Sequence, residues 1–196
     1  YELLRSLVGS EMCIRARHGS EDFSVLNKAG RAQAIQTATV TMNVFTQVNR
    51  IMTEWSVDRC RTDCQDIQSC PQAAEPWDQA VATYVGSLEG PESSGTGHGN
   101  LFYSLADQLA TEFRTCGNRK NDVEGTSGAN LEVLELFESG RIHLEGGVCE
   151  GAQRIKWRIN QVMKIPLIQG TLRSAYRLQH THRGSHEEKG RAAAFL

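Results

Sequence analysis

EPWDQAVATYVGSLEGPESSGTGHGNLFYSLADQLATEFRTCG, residues Glu75–Gly117, decides how this chain is read. Trp77, Ala80, Val81, Tyr84, Val85 and Leu88 recur at helical spacing, so the first part predicts an amphipathic helix. Pro76 suits the first turn of that helix, with Glu75 near its positive end. Gly86 falls inside it, where glycine costs about 1 kcal/mol relative to alanine and permits a close approach. Gly90 and Pro91 end it. A Gly- and Ser-rich connection follows to Asn100, and Leu101, Phe102, Leu105, Leu109 and Phe113 then predict a second helix, closed by Cys116-Gly117.

The flanks carry the same period. Val25–Val57 has no proline and a single glycine, Gly30. Asp22 or Ser24 suits its N-cap. One stripe is Ile35, Ala38, Met42, Phe45 and Met52, and a second is Val40, Val44, Val48, Ile51 and Trp55. Two stripes make a wide apolar face, as on an inner helix. Downstream, Leu131–Phe137 predicts a shorter helix ended by Ser139-Gly140. A last long helix is expected from about Val148 to Leu178, kinked by Pro166, which lacks a backbone donor and clashes one turn back. No alternating strand pattern is present. The expectation is an all-α fold, an antiparallel helix bundle of about five helices with disulfide-stapled loops.

At 196 residues the chain has room for one domain or two small ones. Lys and Arg number 21 and Asp and Glu 23, a formal net charge of -2. That balance argues against nucleic-acid binding, which needs a basic face. No apolar run approaches the ~20 residues that span a bilayer. Residues 1–20 are expected to be a non-native or disordered leader: Ser6–Arg15 resembles the translation of a sequencing adapter. Residues 21–179 are expected to form the helical domain and 180–196 a polar tail. His180, His182 and His186 lie in that tail, where weak metal binding competes with simple solvation.

The six cysteines are Cys13, Cys60, Cys64, Cys70, Cys116 and Cys149. They lack zinc-finger spacing, and an extracellular disulfide framework is the better reading. Six cysteines allow fifteen pairings. Cys13 lies in the leader, which leaves the other five as disulfide candidates. The cluster from Cys60 to Cys70 is expected to staple the loop after the first helix. A bridge from Cys116 to Cys149 would join the ends of the third and fifth helices.

Ligand-bearing side chains crowd the opening stretch. Tyr84 and Glu89 stand near the end of one helix, His98 in the glycine loop, and Tyr103 and Asp107 on one face of the next. Tyrosinate, carboxylate and imidazole together suit a hard trivalent cation such as ferric iron, and loop amides could hold an anion beside it. The competing reading makes Tyr84 and Tyr103 core aromatics with hydroxyls at the rim. Glu132, Glu135 and Glu138, with His143 and Glu145, lack the Glu-x-x-His of bundle metal sites and read as a solvated acidic face. Arg154, Lys156 and Arg158 read as surface charges. There is no nucleophile elbow, H-E-x-x-H or P-loop, so no enzymatic activity is expected.

PWDQAVATYVGSLEG, LFYSLADQLATEFRTCG and INQVMKIPLIQGTLRSAYRL (residues 76–90, 101–117 and 159–178) together resemble a repeated domain of algal iron-assimilation proteins. These are periplasmic proteins responsive to iron deficiency or high carbon dioxide and related to the phytotransferrins. The likeness covers about Val25–Gln179. It implies a secreted or surface-attached helical protein that binds ferric iron with carbonate as synergistic anion. Its partners would be a metal ion and a small anion, with further repeats of the same chain or a cell-surface component. A more distant likeness is to imelysin-like iron-uptake proteins. The G-x-H-x-x-E pattern of that family is broken here, since Asn100, Leu101 and Phe102 follow Gly97-His98-Gly99. The alternative to iron binding is a structural or interaction module of the algal surface or periplasm.

Overall fold

The computed structural model describes residues 23–64, 70–86, 101–117, 125–180 and 184–195. They are almost entirely helical, and no strand occurs among them. Two compact units are present: Thr39–Gln169, and the segments Tyr1–Ala38 and Gly170–Leu196 together. The expected leader, residues 1–20, lies outside the described residues, as do Glu89, His98 and His182.

The long N-terminal helical path is not uniform. It runs through α1 (Lys28–Ala38), the π-helical segment Thr39–Asn43, α2 (Val44–Arg50), a second π-helical segment Ile51–Val57 and α3 (Asp58–Asp63). A π turn adds a residue to the turn, so the buried face steps round the axis. Val44 and Val48 are buried, then Ile51 together with Met52, then Ser56 with Val57, then Cys60. Both expected stripes are therefore only partly buried. Met42 and Trp55, one from each, remain 49% and 41% exposed.

The next helix, α4 (Pro71–Val85), is central to the larger unit. It packs against α2, the second π segment, α5 (Leu101–Phe113) and α6 (Gly128–Glu145). Pro71, not Pro76, occupies its first turn, and Pro76 lies buried inside the helix. Gly86 is the C-cap with φ 70°, not an interior residue. Its positive φ is open to glycine and strained for other residues, which is why α4 stops at Val85.

Helix α6 does not end at Ser139-Gly140. Gly140 is instead a notch filled by Trp77: a Cβ there would collide with the indole. The Trp77 indole N–H donates to the Phe137 carbonyl at 2.9 Å, and its ring meets Phe137 edge-on at 5.8 Å. Cost to helix propensity is offset by contact with the largest fully buried side chain in the fold.

The expected single C-terminal helix is two, α7 (Cys149–Val162) and α8 (Lys164–His180), parted at Met163. Pro166 cannot supply an N–H to the Val162 carbonyl and its ring crowds that group. The break therefore falls a turn ahead of the proline. The apolar stripe also divides there: Ile159 and Val162 are buried, while Ile165, Leu172 and Tyr176 are exposed. Across α7, Lys156 Nζ donates to Thr53 Oγ1 at 3.0 Å and Asn160 Nδ2 to Asn49 Oδ1 at 2.8 Å.

Two disulfides brace this unit. Cys64–Cys70 closes the short connection before α4, and Cys60–Cys149 links α3 to the first residue of α7 across 89 residues. A loop of that length removes about 4–5 kcal/mol of chain entropy from the unfolded state. The expected Cys116–Cys149 bridge is thus overturned. Cys116 is a buried free thiol, held in an isolated antiparallel bridge to Ser127, and its expected partner is bonded elsewhere. Disulfides are consistent with an extracellular protein. No helix among the described residues is long and apolar enough to cross a membrane.

In the smaller unit, α9 (His186–Phe195) packs on α1. The expected polar tail is therefore helical over these residues. Gly190 meets the Gly30 carbonyl so closely that a Cβ would collide with it. Ser185 caps α9 by accepting from Glu188 N at 3.2 Å. Of the tail histidines that are described, His186 accepts at Nδ1 from Asn27 N at 3.3 Å, and the His180 ring lies 4.3 Å from that of Tyr176.

Candidate metal centre

Three of the five expected residues touch one residue that was not among them, Tyr84 and Asp107 by their side chains and Tyr103 by its backbone carbonyl. Tyr84 ends the buried face of α4. Tyr103 and Asp107 stand one turn apart on α5. Between them sits Asn130, fully buried in the first turn of α6. The Tyr84 hydroxyl donates to Asn130 Oδ1 at 2.6 Å. Asn130 Nδ2 donates to the Tyr103 carbonyl at 2.9 Å and to Asp107 Oδ1 at 2.7 Å. Asp107 Oδ1 also accepts from Ser127 N at 2.7 Å.

Local chemistry explains the placement. Ser127 is the N-cap of α6 and accepts from Ala129 N at 3.2 Å. With its own N–H bound to Asp107, it ties the start of α6 to α5. Asn130 is a poor helix former, but here its amide satisfies one acceptor on each of two α5 residues and one donor on α4. The aromatic rings complete the setting. Tyr84 stands edge-on to Tyr103 at 6.2 Å and contacts Phe102 at 5.6 Å and Phe137 at 6.0 Å.

Burial raises the Tyr84 pKa far above the usual phenol value, and the nearby charges of Asp107 and Tyr103 add to the rise. Tyr103 is also raised by burial, with the Thr126 side chain pulling the other way and Asp107 adding to the increase. Both phenols are therefore held protonated at neutral pH. A hard cation would have to displace those protons, which a trivalent ion beside a carboxylate can do and a weaker Lewis acid does poorly.

The structure thus brings the Tyr84 hydroxyl and the Asp107 carboxylate to Asn130, and Tyr103 joins them there through its backbone carbonyl. Glu89 and His98 lie outside the described residues. Asn130 and Ser127 were missed in the sequence. The available signal was Ser127 as an N-cap, three residues ahead of an asparagine at a helical position.

On the acidic face of α6, Glu132 and Glu145 are paired, and Glu135 and Glu138 are exposed. Glu132 accepts from Arg158 at 2.6 Å, and Arg141 bridges Asp78 at 3.0 Å and Glu145 at 2.9 Å. His143 Nδ1 lies 2.8 Å from the Ser139 carbonyl. A separate group of sulfurs stands at Cys60, Cys64 and Cys70, mutually within 4.8 Å. Compared with known protein families, curated proteins and solved structures, the chain shows no match.

Proposed function

We propose that this chain is a secreted or cell-surface binding protein for ferric iron, with carbonate as the accompanying anion, acting in algal iron acquisition. In this reading the helices of the larger unit form an antiparallel bundle, and the protein is not an enzyme. The observation that carries the reading is that the Tyr84 hydroxyl and the Asp107 carboxylate both bond to Asn130 while the Tyr103 ring stands 6.2 Å from that of Tyr84. Two phenols and a carboxylate form an oxygen donor set suited to a hard cation. Glu89 and His98 complete the proposed ligand set. The iron is cargo, exchanged for the phenol protons. Desalted protein incubated with ferric citrate and bicarbonate should retain close to stoichiometric iron. Retention no greater for the wild type than for Tyr103→Phe/Asp107→Asn speaks against the reading.

A second reading is a surface or periplasmic interaction module without metal. It is favoured by the pairing within the network, since Asn130 makes three hydrogen bonds to its neighbours. There the tyrosines and Asp107 serve to fix α4, α5 and α6 to one another.

A further inference from the structure

The sulfurs of Cys60, Cys64 and Cys70 lie within 4.8 Å of one another, and Cys149, outside that group, is bonded to one of its members, Cys60. Cys60, Cys64 and Cys70 are buried at 0%, 3% and 0% exposure. A tetrahedral zinc thiolate has metal–sulfur bonds of about 2.3 Å, hence sulfurs about 3.8 Å apart. The spacing of Cys60, Cys64 and Cys70 is thus close to that of three ligands of one ion, and Cys149, freed from Cys60 on reduction, is the candidate for the fourth.

The surroundings favour thiolate charge. Cys70 is the N-cap of α4 and Cys149 the first residue of α7, helices of 15 and 14 residues. Cys70 and Cys149 therefore stand at positive helix ends, where negative charge is favoured. Gln72 Nε2 points a donor at Cys64 Sγ from 3.7 Å. The α3 side adds Arg61, held near Cys149 by its 2.8 Å pairing with Glu150.

We propose that Cys60, Cys64, Cys70 and Cys149 form a four-thiolate site for Zn²⁺ in the reduced protein, and that the two disulfides are the oxidised form of that site. Each disulfide accepts two electrons and two protons from a dithiol reductant, which leaves as its own disulfide. The four thiols then give up their protons as the zinc binds. Four sulfurs in tetrahedral array select zinc over hard cations, so this site and the oxygen-donor network take different metals and are independent of one another. In either redox state the α3–α4 connection stays tied to the start of α7.

Cobalt provides the spectroscopic probe. The full chain carrying Cys13→Ser and Cys116→Ser is reduced with a dithiol, desalted without oxygen and titrated with Co²⁺. The expected result is a set of sulfur-to-cobalt charge-transfer and ligand-field bands that saturates at one equivalent and is bleached by Zn²⁺. Adding Cys70→Ser should abolish that tetrathiolate spectrum. Absence of saturable bands, or an unchanged spectrum in the Cys70→Ser protein, overturns the proposal. Circular dichroism guards against simple unfolding: if reduction lowers helix content, Zn²⁺ must restore it, and failure to do so also overturns the proposal. Alkylation read by mass spectrometry gives a third check. Zn²⁺ should protect Cys60, Cys64, Cys70 and Cys149 together, and equal labelling with and without Zn²⁺ contradicts the site.

Discussion

Asn130 accepts a 2.6 Å hydrogen bond from the Tyr84 hydroxyl while fully shielded from solvent. The pair joins α4 to α6, and through Asn130 Nδ2 to α5. Removing one partner leaves a buried polar group unmet, which costs about 1–3 kcal/mol. Tyr84→Phe should therefore destabilise the fold by about that amount, and Asn130→Ala by more, since it strands several groups. Urea denaturation measures both. A double mutant close to the sum of the singles would show that the two residues are not coupled.

Gly140 and Trp77 give a second test. Gly140→Ala improves helix propensity by about 1 kcal/mol yet drives a methyl group into the indole. Overpacking of this kind costs about 1–3 kcal/mol, so a net destabilisation is expected, with a red-shifted tryptophan emission. A more stable Gly140→Ala protein would contradict the close contact.

The disulfide assignment predicts unequal cysteine effects. Replacing Cys60 and Cys149 together by serine should cost about 2–5 kcal/mol, whereas Cys116→Ala should cost less, because Cys116 is a free thiol. Non-reducing peptide mapping should recover a Cys60–Cys149 peptide. Recovery of a Cys116–Cys149 peptide instead would refute the assignment.

Tyr84 also sets an alkaline limit. Its folded pKa is raised, first by burial and then by Asp107 and Tyr103, so the folded state holds the phenol proton more tightly than the unfolded state. That contribution is fully present below the unfolded value of about 10. It declines as pH rises above it toward the folded value. Stability measured by urea should fall above about pH 10, and the fall should be shallower in Tyr84→Phe. An identical slope in both proteins would remove Tyr84 as the cause.

Much of the helical content was legible because apolar residues recur at spacings of three and four over long stretches. Ends and contacts were harder. Gly86 and Gly140 look alike in sequence, but one caps α4 through a positive φ and the other admits Trp77, a residue 63 positions away. The π-helical turns are invisible to a 3.6-residue period, so the exposure of Met42 and Trp55 within the two stripes was not legible beforehand. Cys149 pairs with Cys60 through tertiary packing that no spacing rule encodes. That Tyr103 and Asp107 share one face of α5 was legible from helix periodicity. Asn130 was not, because it reaches them and Tyr84 from a third helix.

The most direct test of the iron reading is visible absorbance during a titration with ferric citrate in bicarbonate buffer. Tyrosinate bound to ferric iron gives a charge-transfer band. The account predicts a saturable band in the wild-type protein, a weaker one in Tyr103→Phe and none in Tyr84→Phe/Tyr103→Phe. A flat titration, with no band and no rise in unfolding temperature, contradicts it and leaves the Asn130 network as a purely structural tie.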